Sequence, residues 1–400
     1  MGSTITILSL NKASNNQENP EKMRKKIFYV FPLLIFLAFS SAAATVVPAQ
    51  PRIKASSYLV MDFNSGKFLV SENIDQRVEP ASLTKMMTVY IVANELAQGN
   101  IHMDDPVHIS EKAWRMEGSK MFVEVNTQVS VSDLMNGVVI QSGNDASVAL
   151  AEHIAGSEDV FAQMMNQQAA ELGMTGSHFM NSTGLPHEDH YTTARDMAKL
   201  AAALIRKFPN EYKLHALKEF EYNGIHQINR NRLLWRDDSV DGVKTGHTDS
   251  AGYCLVASAK RGDMRLISVV MGTESDKART IDSLTLLNYA FRFFETHKLY
   301  SAGQVVVTGK VWKGNQQTVG LGLAGDLYVT VPRGSFRQLD AKTELNKTII
   351  APVAAQAAEG NLKVSLNNEV IETRPLVALS PVGEGSLYNR VRDEILLLFE

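Results

Sequence analysis

Apolar and polar positions change their spacing several times along this chain, and each change predicts an element. Residues 57–70, SYLVMDFNSGKFLV, are two apolar runs around Asn64-Ser65-Gly66, the pattern of a β-hairpin. Residues 82–98 carry Met86, Met87, Val89, Tyr90, Val92, Ala93 and Leu96 at helical spacing on a broad face. Ser130-Val-Ser-Asp133 has the form of a capping box ahead of a helix running through Ile140. That helix breaks at QSGND, and ASVALAEHIAG predicts a second one ending near Gly156. Residues 177–191, SHFMNSTGLPHEDHY, are rich in turn formers and read as a surface loop. Thr192 or Thr193 then caps a helix over TARDMAKLAAALIRKF. Residues 251–272 are two β-rich runs flanking Arg261-Gly262-Asp263, which reads as a hairpin turn rather than an adhesion signal. A helix follows over residues 276–296. Strands at both ends with helices between them predict an α/β or α+β layered domain.

After about Leu299 the character changes. QVVVTGKVW, LYVTVP, TIIAPV and LKVSL alternate between Gly, Asn and Pro turns, which predicts a small all-β domain. The last stretch, SLYNRVRDEILLLFE, returns to a helical period, with Leu387, Tyr388, Val391, Ile395, Leu398 and Phe399 on one face.

The N-terminus sets the compartment. Residues 1–22 are polar and aperiodic, an upstream extension expected to be disordered. From Met23 the text reads as a secretory signal peptide over residues 23–44. Arg24, Lys25 and Lys26 precede an apolar run, Ile27 to Phe39, that is short for a membrane span. Ala42-Ala43-Ala44 offers the cleavage site, with Val47-Pro48-Ala49 as second choice; a retained anchor is the alternative. The expected organisation is then a main domain over 45–299, a β domain over 300–383 and an amphipathic helix over 384–400.

Composition narrows the function classes. A net charge of −3 without a long basic block argues against nucleic acid as a partner. The one cysteine, Cys254, cannot form an internal disulfide, and in GYCLVAS it reads as a buried small hydrophobe.

Ser82 and Lys85 share a helix face at i and i+3. A serine hydroxyl is a poor nucleophile until a base takes its proton, and a lysine with a depressed pKa can be that base. A helix start would also favour the charge that develops on the oxygen. Spacing alone decides little, because Ser82 reads equally well as a helix cap and Ser9-x-x-Lys12 repeats the pattern upstream of the signal peptide. Ser142-Gly143-Asn144 lies at the break between two helices, where side chains can enter a cleft, yet Ser14, Ser71 and Ser365 also begin Ser-x-Asn. Lys244-Thr245-Gly246 occurs once, just before a strand. Its glycine lets a ligand lie close to the strand edge and its lysine holds an anion. Taken singly, these are a turn and a solvated lead-in to a strand.

Ser-x-x-Lys, Ser-x-Asn and Lys-Thr-Gly in that order form the motif set of penicillin-binding proteins and serine β-lactamases. With KTGHT after DGV, the stretch GLPHEDHYTTARDMA, the β-rich domain and the terminal helix, the chain resembles low-molecular-mass penicillin-binding proteins that act as D-alanyl-D-alanine carboxypeptidases. The resemblance implies an α+β fold of the penicillin-binding/β-lactamase-like type, a helical cluster on an antiparallel sheet, followed by a β-sandwich and a membrane-associating helix. It implies that Ser82 attacks the bond between the last two D-alanines of a peptidoglycan stem peptide, that Lys85 takes its proton, and that water hydrolyses the acyl-enzyme. Ser142 would pass protons to the leaving amine and Asn144 would hold the substrate amide. Lys244 and Thr245, with Gly246 in the strand and His247 behind, would bind the terminal carboxylate. Backbone N–H groups, one of them from Ser82, would form the oxyanion hole. Arg279 either adds to carboxylate binding or is a surface salt-bridge residue. Penicillins would acylate the same serine. No cofactor or metal is implied, and the enzyme would be periplasmic, on the outer face of the cytoplasmic membrane.

Three other readings compete. A serine β-lactamase needs a carboxylate that positions water, and Glu188 and Asp189 do not reproduce its pattern. A D-Ala-D-Ala endopeptidase is a nearer relative, against which the β domain and terminal helix speak. A non-catalytic scaffold would bind wall peptide only. His187 and His190 in HEDH lack the spacing of a zinc helix and read as exposed loop residues. Asn181-Ser-Thr and Asn346-Lys-Thr match glycosylation acceptors, which means little in a bacterial exported protein. In the terminal helix Asp393, Glu394 and Glu400 outnumber Arg390 and Arg392, while Leu396 and Leu397 widen the apolar arc. Membrane association would be weak and hydrophobic; the alternative is a helix docked on the β domain.

Overall fold

In β1 (Ser57–Asp62) every position is buried, and the period of two splits its residues between two cores. Leu59 and Met61 join one cluster with Val256, Ile267 and Val269, whereas Tyr58 and Val60 join another with Leu255, Leu266 and Val270. A sheet buried on both faces needs helices on both, and the chain supplies them. The computed structural model describes residues 46–399; the expected extension and signal peptide lie outside the described residues.

The elements that position the site are, in chain order, β2 (Phe68–Glu72), α1 (Lys85–Gln98), α2 (Val131–Asn136), α3 (Asn144–Ala155), α4 (Glu158–Glu171) and α5 (Ala194–Lys207), then β3 (Val240–Thr248), β4 (Gly252–Arg261), β5 (Met264–Thr273) and α6 (Asp276–Phe293). The sheet order is β2-β1-β5-β4-β3, antiparallel throughout. Helix α1 lies within the first core, buried from Lys85 to Ala93, which is why its apolar face is so broad. Helix α6 covers the other face through Leu286, Leu287, Ala290 and Phe291.

Several expectations hold locally. Asn64-Ser65-Gly66 turns between β1 and β2, with the Asp62 carboxylate accepting from the Asn64 and Ser65 N–H groups. Arg261 pairs with Met264 across the turn Gly262-Asp263. Thr193, not Thr192, caps α5 by accepting from the Asp196 N–H at 3.1 Å. Cys254 is fully buried, and burial pushes its thiol up to about 11.

Others are corrected. The helix expected through Ile140 is α-helical only to Asn136; Gly137–Gln141 form a π-helical turn that ends at Ser142 in a left-handed conformation, φ 66°. Residues 177–191 are not simply a surface loop. Only the tip, Leu185–Asp189, is exposed, because the root packs on α1: the Thr88 hydroxyl donates to Ser182 O at 2.7 Å, and His190 lies 2.9 Å from the Thr84 hydroxyl. His187 is therefore exposed as expected, but His190 is buried, and burial lowers its pKa to about 4. Helix α6 stops at Phe293, short of 296. Arg333 there takes the carbonyls of Phe291, Arg292 and Phe294, closing the helix end.

The chain continues directly into β6 (Phe294–Tyr300). The all-β part adds β7 (Val305–Trp312), β8 (Thr318–Gly322), β9 (Leu327–Pro332), β10 (Leu339–Leu345), β11 (Ile349–Ile350), β12 (Ala358–Leu366) and β13 (Glu369–Ala378). β6 pairs with β9, and the others form a sheet in the order β10-β12-β13-β8-β7-β11. Val311, Leu321, Val329, Val364 and Leu376 fill the core between them. Hydrogen bonds tie this part to the β1–β2 turn: Thr296 donates to the buried Asp62, and Lys67 to Thr330 O.

Helix α7 (Leu387–Leu397) docks by its polar side. The Asp393 carboxylate, nearly buried, accepts from the Lys313 N–H at 2.7 Å, and Glu394 pairs with the Lys313 ammonium. Leu387, Tyr388, Val391, Ile395 and Phe399 point outward, between 53% and 84% exposed. Among the described residues no helix is long and apolar enough to cross a membrane.

Candidate active site

Ser82 sits in a 3-10 turn, Ala81–Thr84, and α1 starts only at Lys85. Its side chain caps neither element, so the hydroxyl is not committed to the backbone. The turn is gripped from both sides by glycines. A Cβ on Gly184, which has φ 85°, would lie 1.8 Å from Ala81 O, and one on Gly246 would lie 2.9 Å from Pro80 O. Only glycine lets the root of the 177–191 segment and strand β3 approach so closely.

Lys85 is wholly buried, and its ammonium donates to Ser82 Oγ at 3.0 Å, Asn144 Oδ1 at 2.7 Å and Thr183 O at 2.6 Å. Burial lowers its pKa to about 7, aided by the Arg230 charge and opposed by Asp145 and Glu158. At neutral pH a large share of this lysine is the free amine, which has a lone pair to offer.

Ser142 and Asn144 reach the same place from the other side of the cleft. The π-helical turn and the left-handed residue that ends it turn Ser142 inward, where its hydroxyl accepts from Lys244 Nζ at 2.9 Å. Lys244 is buried too, and burial, then the charges of Lys85, Arg230 and Arg279, hold it well below the usual lysine range. Asn144 opens α3, and its amide nitrogen donates to Glu117 O at 2.6 Å, which fixes the carbonyl end toward Lys85. The next residue, Asp145, accepts from the backbone of Met121, Phe122 and Val123, pinning the segment that walls the cleft.

The structure thus brings together Ser82, Lys85, Ser142, Asn144 and Lys244. Thr245 and Gly246 line the cleft along β3, and His247 stands exposed at the rim against Tyr253, ring centroids 3.9 Å apart. Arg279 is not a surface residue. It is 6% exposed, donates to Gly246 O at 2.9 Å, and is paired with Asp276. The cleft, about 880 Å³, also receives Arg230 and Arg232, which no motif marked. Arg230 follows a short strand in INRNR, a polar cluster that sequence cannot tell from a loop. The Thr183 carbonyl was equally hidden, since backbone atoms leave no trace in residue type. Buried Lys244 and Arg279, with the exposed Arg230 and Arg232 beside them, make a cleft that suits an anionic ligand.

Comparison with known proteins agrees with this geometry. Residues 44–275 match the D-alanyl-D-alanine carboxypeptidase family, and residues 294–384 match the C-terminal domain of penicillin-binding protein 5. The chain is 44% identical to the D-alanyl-D-alanine carboxypeptidase DacA of Escherichia coli (strain K12), covering 90% of this chain and 94% of that one. It is 38% identical to the carboxypeptidase DacF of Bacillus subtilis (strain 168), covering 81% and 85%. Among solved structures, penicillin-binding protein 5 from Haemophilus influenzae superposes with a TM-score of 0.82 at 45% identity, covering 84% of this chain and all of that one. Penicillin-binding protein D2 from Listeria monocytogenes, solved in an ampicillin-bound form, gives 0.57 at 27% identity over 61% of this chain.

Proposed function

We propose that this chain, which belongs to the D-alanyl-D-alanine carboxypeptidase family of serine peptidases, hydrolyses the terminal D-Ala from peptidoglycan stem peptides through an acyl-enzyme on Ser82. The observation that carries the residue assignment is the 3.0 Å contact between Ser82 Oγ and a buried Lys85. As a free amine Lys85 has two N–H groups. Asn144 Oδ1 and Thr183 O can only accept, so they take both, and the lone pair is left for the Ser82 hydroxyl. The serine proton then passes to Lys85 as Oγ attacks the peptide carbonyl. Ser142, bonded to Lys244, is placed to hand a proton to the departing D-Ala amine. Lys244, Thr245 and Arg230 hold the substrate carboxylate, with Arg279 stiffening the β3 backbone through Gly246 O, and His247 closing the rim. Water hydrolyses the ester. A penicillin, with its own carboxylate and a strained amide, enters the same way and stays longer.

The β-lactamase reading has less support. Glu188 and Asp189 sit on the exposed tip of their loop, where a water-positioning carboxylate would be of no use to Ser82. The assay separates the two. Labelled penicillin is expected to form an adduct on Ser82, a D-Ala-D-Ala peptide to release D-Ala, and Ser82→Ala to lose both. Rapid penicillin turnover without D-Ala release would instead make the protein a β-lactamase.

We place residues 45–299 as the catalytic domain, 300–383 as the β domain and 384–400 as a helix for peripheral contact with the outer face of the cytoplasmic membrane. The outward apolar face of α7 supports that contact, and its paired charges make it hydrophobic rather than electrostatic. Removing residues 384–400 is expected to abolish co-sedimentation with phospholipid vesicles and to leave D-Ala release unchanged. Equal sedimentation of both forms would dispose of the assignment.

A further inference from the structure

We infer that Glu158 is a positioning residue for the base, acting on Lys85 through the Ser182–Thr183 backbone. The inference rests on Lys85 being that base. Glu158 begins α4 and is 7% exposed, an unusual place for a carboxylate unless it has work for both oxygens. Oε1 accepts from the Ser182 N–H at 3.0 Å and from the Ser182 hydroxyl at 2.7 Å. Oε2 pairs with Lys112 at 2.9 Å. The peptide unit so held runs straight to the site. Ser182 O takes the Thr88 hydroxyl, one turn beyond Lys85 on α1, and the following carbonyl, Thr183 O, takes the Lys85 ammonium at 2.6 Å.

The Asn181 carboxamide, accepting from the Thr183 and Gly184 N–H groups, holds the outer side of the same turn. The carboxylate therefore fixes the one acceptor of Lys85 that comes from a loop rather than from a helix. Had this loop been free to shift, the amine could turn its lone pair away from Ser82.

The same charge also reaches Lys85 through space. The groups that face Lys85 electrostatically are Arg230 from the loop before β3, Lys244 from β3, Asp145 from α3, Glu158 from α4 and His190 from the 177–191 segment. Asp145 and Glu158 favour the ammonium; the others oppose it or are neutral. Burial works to raise the Glu158 carboxyl, but hydrogen bonds from Lys112 and Ser182 outweigh it and hold the group below the usual range. Glu158 is thus ionised throughout the range in which Lys85 titrates.

Position and charge can be separated. The readout is the second-order rate of Ser82 acylation by penicillin, followed from pH 5 to 9 on the full exported chain, with thermal unfolding as the check on folding. Glu158→Gln removes the charge and keeps the shape. It is expected to move the rising limb of the profile to lower pH by roughly half a unit, because the ammonium loses a favourable partner. Ser182→Ala keeps the charge and loosens the loop. It is expected to leave the limb in place and lower the plateau about tenfold. A wild-type profile with no rising limb near pH 7 would remove the premise that Lys85 is the base. A normal wild-type limb, with neither limb nor plateau changed in the two variants, would sink the role of Glu158 alone. A lowered unfolding temperature with an unchanged profile per folded molecule would assign Glu158 to stability, and would also overturn the inference.

Discussion

Replacing Lys85 with methionine is expected to cut the rate of Ser82 acylation by a factor of about 10³ or more, the scale of losing a general base together with its geometry. Methionine fills the volume but offers no proton acceptor. It also leaves Asn144 Oδ1 and Thr183 O without their shared donor, so the far wall of the cleft loses its anchor. The wild-type rate should rise with pH through about 7, where the buried ammonium loses its proton, and Lys85→Met should lose that rise along with the rate. The sign for stability follows from the same shift. The folded pKa is depressed, so between about 7 and the ordinary lysine value the unfolded chain binds a proton that the folded chain has released. This group's contribution to stability therefore increases with pH across that window and is least favourable below it. Trapping the penicillin adduct by intact-mass spectrometry at several pH values checks the kinetic part. A variant acylated at a tenth of the normal rate or faster would remove Lys85 from the base role.

Gly184→Ala should do comparable damage by a different route. The new Cβ would meet Ala81 O at 1.8 Å, and the backbone there has φ 85°. Left-handed backbone costs an alanine about 1–2 kcal/mol, and overpacking adds roughly 1–3 kcal/mol. The only relief is to push the segment away from the Ala81–Thr84 turn, which carries the proposed nucleophile. Lower stability and a loss of acylation by about tenfold or more are expected together. Gly66→Ala is the control: φ is 73° but nothing lies within 4 Å, so only the backbone cost remains and activity should be intact. Calorimetry and acylation on the two variants decide the matter. Similar effects from both would show that strain, not collision, sets the cost.

The elements were largely legible because their periods are simple. β1, β4 and β5 are nearly continuous β-forming runs bounded by turn residues, α1 and α5 keep a helical spacing, and the β-rich tail has turn residues between its strands. Where the reading stopped short, the cause lay in tertiary packing. The 177–191 segment has the composition of an exposed loop, but Phe179, Ser182 and His190 are drawn inward against α1. Nothing in Val131–Ile140 signals that the helix widens into a π-turn to deliver Ser142. The chemistry shows the same division. Ser82, Lys85, Ser142 and Lys244 announce themselves by type and order, since the proposed nucleophile, base and cation fall in three ordered motifs. Arg230, Glu158 and the Thr183 carbonyl do not, because they come from segments far apart in the chain and only the fold brings them near Lys85.

The docking of α7 by its polar side has a thermodynamic corollary. An amphipathic tail that must fold on meeting a lipid surface gives up part of its binding free energy to ordering. Here Ser386 already caps the helix, and Asp393, held by the Lys313 N–H, fixes its rotation. The ordering cost is met during folding of the β domain. In the proposed membrane role the small apolar face would adhere with affinity closer to that of a rigid body, and detach without unravelling. Such an attachment would favour repeated short visits to the membrane over permanent residence.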